Sequence, residues 1–207
     1  MSLKHSRLAA ESKFGTSLVH SFVTQEGGSD KLLIILPGRG YTTEHPVLYM
    51  LRSAALELGY DVLCVQYGFQ VGQIDLTSDN MPYIQDDVEQ AAKAVLGRGY
   101  QNISVAGKSM GTPLAVTLAQ TIHDAQVSVL LLTPIGGAAQ PLDNIPVLAV
   151  IGTADAAYSA DMIKDEDGLA WRVFEGLDHS LEVKGDWRAS LAVLAEIIEA
   201  CAGFLAR

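Results

Sequence analysis

The chain has 207 residues, of which 49 % are hydrophobic and 18 % charged, enough apolar material for one domain with a substantial core and too much for a disordered chain. Its formal net charge of -10 works against a nucleic acid or an anionic membrane surface as partner, because long-range repulsion opposes both. Two cysteines, Cys64 and Cys201, are too few for a disulfide framework and are read as free core thiols.

Met1 to Lys13 is polar, lacks the apolar centre of a signal peptide and is expected to be a loose, partly helical leader to a single domain spanning 1–207. No apolar run reaches the length needed to cross a bilayer, so the expectation is a soluble cytoplasmic protein. Ser17 to Thr24 alternates enough for an edge strand, and Glu26 to Asp30 is a turn. Leu32 to Leu36 is continuously apolar, the mark of a strand covered on both faces in a parallel sheet, and Pro37-Gly38-Arg39-Gly40 breaks it. Pro46 to Leu58 reads as a helix stopped by Gly59. Asp61 to Val65 is the next strand, Phe69 to Met81 a loop, and Pro82 to Leu96 a helix ended by Gly97 and Gly99.

Ile103 to Ala106 is apolar and strand-like, and Pro113 to Gln120 is rich in Ala and Leu and helix-like. Val127 to Leu132 is a further buried strand stopped by Thr133-Pro134, followed by a short Gly- and Pro-rich segment from Ile135 to Ile145. Val147 to Ile151 and Ala170 to Phe174 are the last strands. Trp187 to Leu205 is a long helix with Leu191, Leu194, Ile197, Ile198 and Cys201 at helical spacing. Strands alternating with helices predict an α/β fold: a mostly parallel central sheet with helices on both faces.

Between the strand ending near Ala106 and the following helix lies Gly107-Lys108-Ser109-Met110-Gly111, which fits G-x-S-x-G. A serine on a sharp strand-to-helix turn is held in a strained conformation with its hydroxyl exposed, and small residues two before and two after it let neighbouring backbone pass. The bland reading is a tight turn with a buried serine. A rival reading takes Gly107-Lys108-Ser109 as the tail of a phosphate-binding loop, but that motif needs glycine where this chain has Asn102 and a loop where Asn102 to Ala106 is strand-like.

A serine hydroxyl needs a base within hydrogen-bond reach and a third group to orient that base. In open parallel sheets functional residues collect beyond the carboxyl ends of the strands. Asp155 follows the strand Val147 to Ile151, and His179 follows the strand Ala170 to Phe174, giving the chain order Ser109, Asp155, His179. His45 is the rival base, and Asp161 and Asp178 are rivals to Asp155; Asp178 adjoins His179 and would struggle to reach the inner ring nitrogen.

Gly107-Lys108-Ser109-Met110-Gly111, Gly152-Thr153-Ala154-Asp155 and Gly176-Leu177-Asp178-His179, each after its expected strand, resemble the α/β-hydrolase family from about Leu32 to the end of the chain. The nearest likeness is to small lidless serine esterases and dienelactone-hydrolase-like proteins, although the dienelactone hydrolases use a cysteine nucleophile where this chain has Ser109. The resemblance implies Ser109 as nucleophile, His179 as general base and then acid, and Asp155 as the group that orients His179. It implies an oxyanion hole from the backbone N–H of Met110 and, by alignment of Gly38, that of Arg39, where many members have His-Gly and this chain has Pro37-Gly38. Family members with lids insert helices where this chain has only Ile135 to Ile145, so no cap domain is expected and the pocket should be open.

Arg39, at the rim of the expected pocket, is a candidate for an anionic substrate group, against a solvated arginine or a pair with Glu44. Tyr41, Tyr67 and Tyr158 also follow strand ends and are candidate pocket residues, each equally readable as ordinary partial burial. The expected activity is hydrolysis of a small ester or thioester through an acyl-serine, with no metal and no cofactor. A cofactor-free non-hydrolytic enzyme on this scaffold and a partner-binding protein that retains the fold are the alternatives.

Overall fold

A computed structural model describes residues 2–164 and 166–207. Its strands are β1 (Leu3–Glu11), β2 (Ser17–Gln25), β3 (Lys31–Leu36), β4 (Asp61–Cys64), β5 (Asn102–Lys108), β6 (Gln126–Leu132), β7 (Val147–Gly152) and β8 (Leu169–Phe174). Its helices are α1 (Pro46–Glu57), α2 (Gly68–Val71), α3 (Pro82–Leu96), α4 (Gly111–Gln120) and α5 (Trp187–Leu205). The strands form one sheet in the order β1-β2-β4-β3-β5-β6-β7-β8. β1 and β2 pair antiparallel, β2 meets β4 antiparallel, and every pairing from β4 to β8 is parallel.

The continuous apolar run of β3 divides by period two between the faces of the sheet. Leu32, Ile34 and Leu36 pack with Val88 and Ala91 of α3 and Ala115 and Leu118 of α4. Leu33 and Ile35 pack on the other side with Leu48 and Leu51 of α1 and Ile197, Cys201 and Phe204 of α5. That is why the strand reads as apolar throughout rather than alternating. Burial of each large side chain there is worth roughly 1.5–3 kcal/mol. Proline in the first turn starts α1 and α3, and Gly59, with φ of 84°, lets the chain leave α1 for β4.

The amino-terminal expectation is corrected. Leu3–Glu11 is not a loose leader but a strand, in register with the whole of β2 from Leu3 opposite Gln25 to Glu11 opposite Ser17. Its side chains are at most half-buried, so its apolar pattern is weak; Leu8 and Leu3 pack on opposite faces of the core. What organises it is the open edge of β2, whose unpaired N–H and C=O groups it satisfies. The segment Ser17 to Thr24 is consequently an interior strand rather than an edge. Within the segment read as a loop from Phe69 to Met81, the start belongs to the one-turn helix α2. Residues 133–146 run from β6 to β7 without a helix, leaving the carboxyl ends of these strands uncovered. No described helix is long and apolar enough to cross a membrane.

Candidate active site

β5 ends at Lys108 and α4 begins at Gly111, so the chain reverses from strand to helix over Ser109 and Met110. Ser109 takes φ of 51°, in the left-handed region. The turn is tight enough that a methyl group on Gly107 would overlap the Gly111 backbone, and one on Gly111 would stand 2.5 Å from the Leu36 carbonyl oxygen. The two glycines are therefore required by close backbone approach. The Ser109 N–H donates to the Leu132 carbonyl at 2.9 Å, and the Ser109 carbonyl accepts from the N–H and hydroxyl of Thr112 at 2.8 and 2.7 Å. Asn102 to Ala106 is strand, as the rejection of a phosphate loop requires.

The loops after β7 and β8 are laced together. Thr153 N–H donates to the Phe174 carbonyl, Ala154 N–H to the Leu177 carbonyl, and Gly176 N–H to Thr153 Oγ1. This lacing brings the Asp155 and His179 side chains face to face. His179 Nδ1 lies 2.8 Å from Asp155 Oδ2, and Nε2 lies 2.7 Å from Ser109 Oγ. With the Nδ1 proton donated to the carboxylate, Nε2 is left as an acceptor for the serine hydroxyl. Asp155 is buried, and its other oxygen accepts from the Ala157 N–H at 2.8 Å. His179 is 45 % exposed at its side chain, so its ring faces solvent while its carboxylate partner does not.

Two of the rivals, Asp178 and His45, are engaged elsewhere. Asp178 Oδ1 accepts from the N–H groups of Ser180 and Glu182, an Asx turn that shapes the His179 loop. His45 Nδ1 accepts from the Thr42 N–H at 3.0 Å, and its ring lies 4.5 Å from that of Tyr41. His20 is buried, and burial pushes it down to about 4, so it is neutral.

The loop after β3 passes directly beside the serine: a methyl group on Gly38 would stand 3.3 Å from Ser109 Cβ. Gln70 Nε2, on α2, donates to the carbonyls of Gly38 at 2.7 Å and Arg39 at 3.1 Å. Among the described residues, neither the Arg39 N–H nor the Met110 N–H finds an acceptor within the protein. Arg39 is exposed and forms no ion pair with Glu44, which pairs with Arg52 at 2.9 Å. Arg39 lines an open cleft of about 550 Å³ with Phe69, Gln70, Ile74, Asp75 and Leu76; Ser109, Asp155 and His179 are not in its lining. A concavity of about 1030 Å³ sits at the amino ends of β5 and β6 and contains none of Ser109, Asp155 or His179.

The tyrosine expectations need correction. Tyr67 is wholly buried in the core against Phe69 and presents no surface to a substrate. Tyr41 is buried, and its hydroxyl accepts from the Val47 N–H at 3.1 Å, so it braces the loop rather than presenting a surface. Tyr158 is half-buried on the Asp155 loop, its N–H donating to the Asp155 carbonyl. Sequence reasoning missed Gln70, Lys108 and Thr133. Lys108 is buried with its Nζ donating to Thr133 Oγ1 and to the His179 carbonyl, both at 2.6 Å. A lysine between an apolar strand and the elbow serine was a visible signal; Gln70 carried none. No cluster of three or more His, Cys, Asp or Glu side chains suited to a metal occurs among the described residues.

Neither a protein-family model nor a curated protein sequence matches the chain. Solved structures do. XC6422 from Xanthomonas campestris, a serine hydrolase without a lid, superposes with a TM-score of 0.69 at 17 % identity, over 99 % of this chain and 96 % of that one. The Pyrococcus furiosus esterase Pf2001 gives 0.70 at 14 % identity, over 98 % and 92 %. Est1E from Butyrivibrio proteoclasticus gives 0.69 at 15 % identity, over 97 % and 99 %. Likeness at such identities is a statement about architecture, and it agrees with the strand order and the uncovered strand ends described above: the chain has the α/β-hydrolase fold without a cap.

Proposed function

We propose that the protein is a serine hydrolase that cleaves a carboxylic ester or thioester of a small substrate through an acyl-serine. The observation that carries this reading is the continuous line from Asp155 Oδ2 through the His179 ring to Ser109 Oγ, with contacts of 2.8 and 2.7 Å. Ser109 Oγ attacks the substrate carbonyl carbon as its proton passes to His179 Nε2. The buried Asp155 carboxylate stabilises the imidazolium. Negative charge on the carbonyl oxygen is received by the N–H groups of Met110 and Arg39. Collapse of the tetrahedral adduct breaks the carbonyl bond to the alcohol or thiol, which leaves with the proton from Nε2. Water then gives a proton to Nε2 and its oxygen to the acyl carbon, and the acid departs as Ser109 regains its proton. No metal or organic cofactor enters these steps.

The absence of a helix between β6 and β7 supports a small substrate, or one presented on a larger carrier. The cleft that Arg39 lines has apolar residues that suit an acyl or aryl group, and the Arg39 guanidinium, with no ion pair among the described residues, suits an acidic one. The test is labelling with a fluorophosphonate and turnover of chromogenic esters of increasing acyl length. Wild type should label, and Ser109→Ala and His179→Ala should each lose roughly 10³-fold or more in kcat. Arg39→Ala should raise KM for acidic esters and leave neutral esters unchanged. A folded wild type that neither labels nor turns over any ester would overturn the reading.

A further inference from the structure

Lys108 is charged chemistry placed where an apolar residue would be expected. It ends β5 immediately before Ser109, and only 1 % of it is exposed. Its ammonium is nevertheless well used. It donates to Thr133 Oγ1 at the end of β6 and to the carbonyl of His179 in the loop after β8, and it stands 4.9 Å above the Tyr41 ring from the loop after β3. Thr133 adopts φ of 48°, a costly conformation for a β-branched residue. Its N–H to the Val150 carbonyl and its hydroxyl to the Leu132 carbonyl hold it there, leaving Oγ1 to accept from the lysine.

His179 needs such an anchor. Its imidazole is nearly half exposed, so side-chain packing does little to fix it. Among the described residues, the bond from Lys108 is the only hydrogen bond that the main chain of His179 makes. We infer that Lys108 is a positioning residue for His179, tying the main chain of the base to the carboxyl ends of β5 and β6 and so fixing the approach of Nε2 to Ser109 Oγ. The inference rests on the hydrolase reading for its catalytic consequence, but the tie itself is a matter of structure.

The charge matters as well as the bonds. Facing the ammonium are Thr133, the Tyr41 ring, His179, and the carboxylates of Asp155 and Asp178. Burial pushes Lys108 down to about 8, while Asp155 and Asp178 oppose the fall. Below that pH the ammonium is charged and its hydrogen bonds are charge-assisted; above it a neutral amine still donates, but more weakly. The tie should therefore slacken as pH rises through about 8.

The test is Lys108→Met, which keeps the length and removes the donors, with thermal melting to confirm the fold. Amide exchange over residues 177–183 should speed up while the β3–β5 core stays protected. Fluorophosphonate labelling and kcat for a neutral ester should fall roughly 10- to 100-fold with KM nearly unchanged. Wild-type kcat should decline several-fold above about pH 8, a limb absent from the variant. Should Lys108→Met not fold, Thr133→Val removes the acceptor of the lysine together with the hydroxyl's bond to the Leu132 carbonyl and should loosen the same loop, whereas Thr133→Ser keeps both and should not. A folded variant with unchanged loop exchange overturns the inference. Faster exchange in a protein whose wild type never labels counts against the hydrolase reading and upholds the tie.

Discussion

Ser109 carries a conformational cost that the proposed hydroxyl chemistry requires. At φ of 51° it sits where a Cβ crowds its own backbone, a penalty of roughly 1–2 kcal/mol for a residue other than glycine. Glycine would escape that penalty but lose about 0.5–1 kcal/mol more chain entropy on folding. The two variants Ser109→Gly and Ser109→Ala both lack the hydroxyl, so comparing them isolates the strain. Ser109→Gly should be the more stable by up to about 1 kcal/mol, a melting difference of about 2–4 °C at this chain length. An alanine variant that melts at or above the glycine variant would show that the turn is unstrained. The same residue was legible in the sequence because the turn's geometry demands small residues at fixed offsets, Gly107 and Gly111. His179 and Asp155 were legible because each follows a strand. Lys108 was visible as a lysine beside that serine, but its part was not, since its partners Thr133 and His179 come from other strand ends and only the folded sheet assembles them.

At the scale of elements, the single turn α2 decides the shape of the loop after β3. Asp87 of α3 accepts from the Gly68 N–H at 2.8 Å, which fixes the start of α2 against α3. From there Gln70 reaches across to the Gly38 and Arg39 carbonyls. Fixing the Gly38 carbonyl fixes the peptide plane it shares with the Arg39 N–H, which the proposed mechanism uses as a donor. Gln70→Ala should therefore lower kcat by roughly ten-fold with KM unchanged and little loss of stability, because the side chain lies near the surface. Gln70→Glu should be worse, as a carboxylate has no N–H to offer two carbonyls. Equal kcat in wild type and both variants would remove α2 from the site. The helices α1, α3 and α5 were readable from apolar spacing and their starts and stops, but α2 is too short to show a period and is held by tertiary contacts. β1 was unreadable for a related reason: backbone pairing with β2, not its own apolar pattern, makes it a strand.

At the scale of the whole molecule, the sheet separates two apolar layers, and both cysteines lie in the layer under α1 and α5. Burial pushes the Cys64 thiol up to about 11 and the Cys201 thiol up to about 12, so neither is a thiolate at neutral pH. A disulfide reagent can reach them only when the structure opens, which makes them reporters on which part opens first. Cys64 ends β4, held between β2 and β3 in the interior of the sheet. Cys201 rides on α5, which follows the last strand and packs against α1 and β7 from one side. Releasing a terminal helix breaks fewer hydrogen bonds than parting a central strand from two neighbours. Cys201 should thus react faster than Cys64 with 5,5′-dithiobis(2-nitrobenzoic acid) in the absence of denaturant, as followed site by site by mass spectrometry. Low urea should quicken Cys64 more steeply than Cys201, because opening β4 exposes more surface. Identical rates with identical urea dependence would mean that α5 and the sheet open as one cooperative unit, and that the layer holding α1 and α5 is as firmly bound as the strands that carry the candidate site.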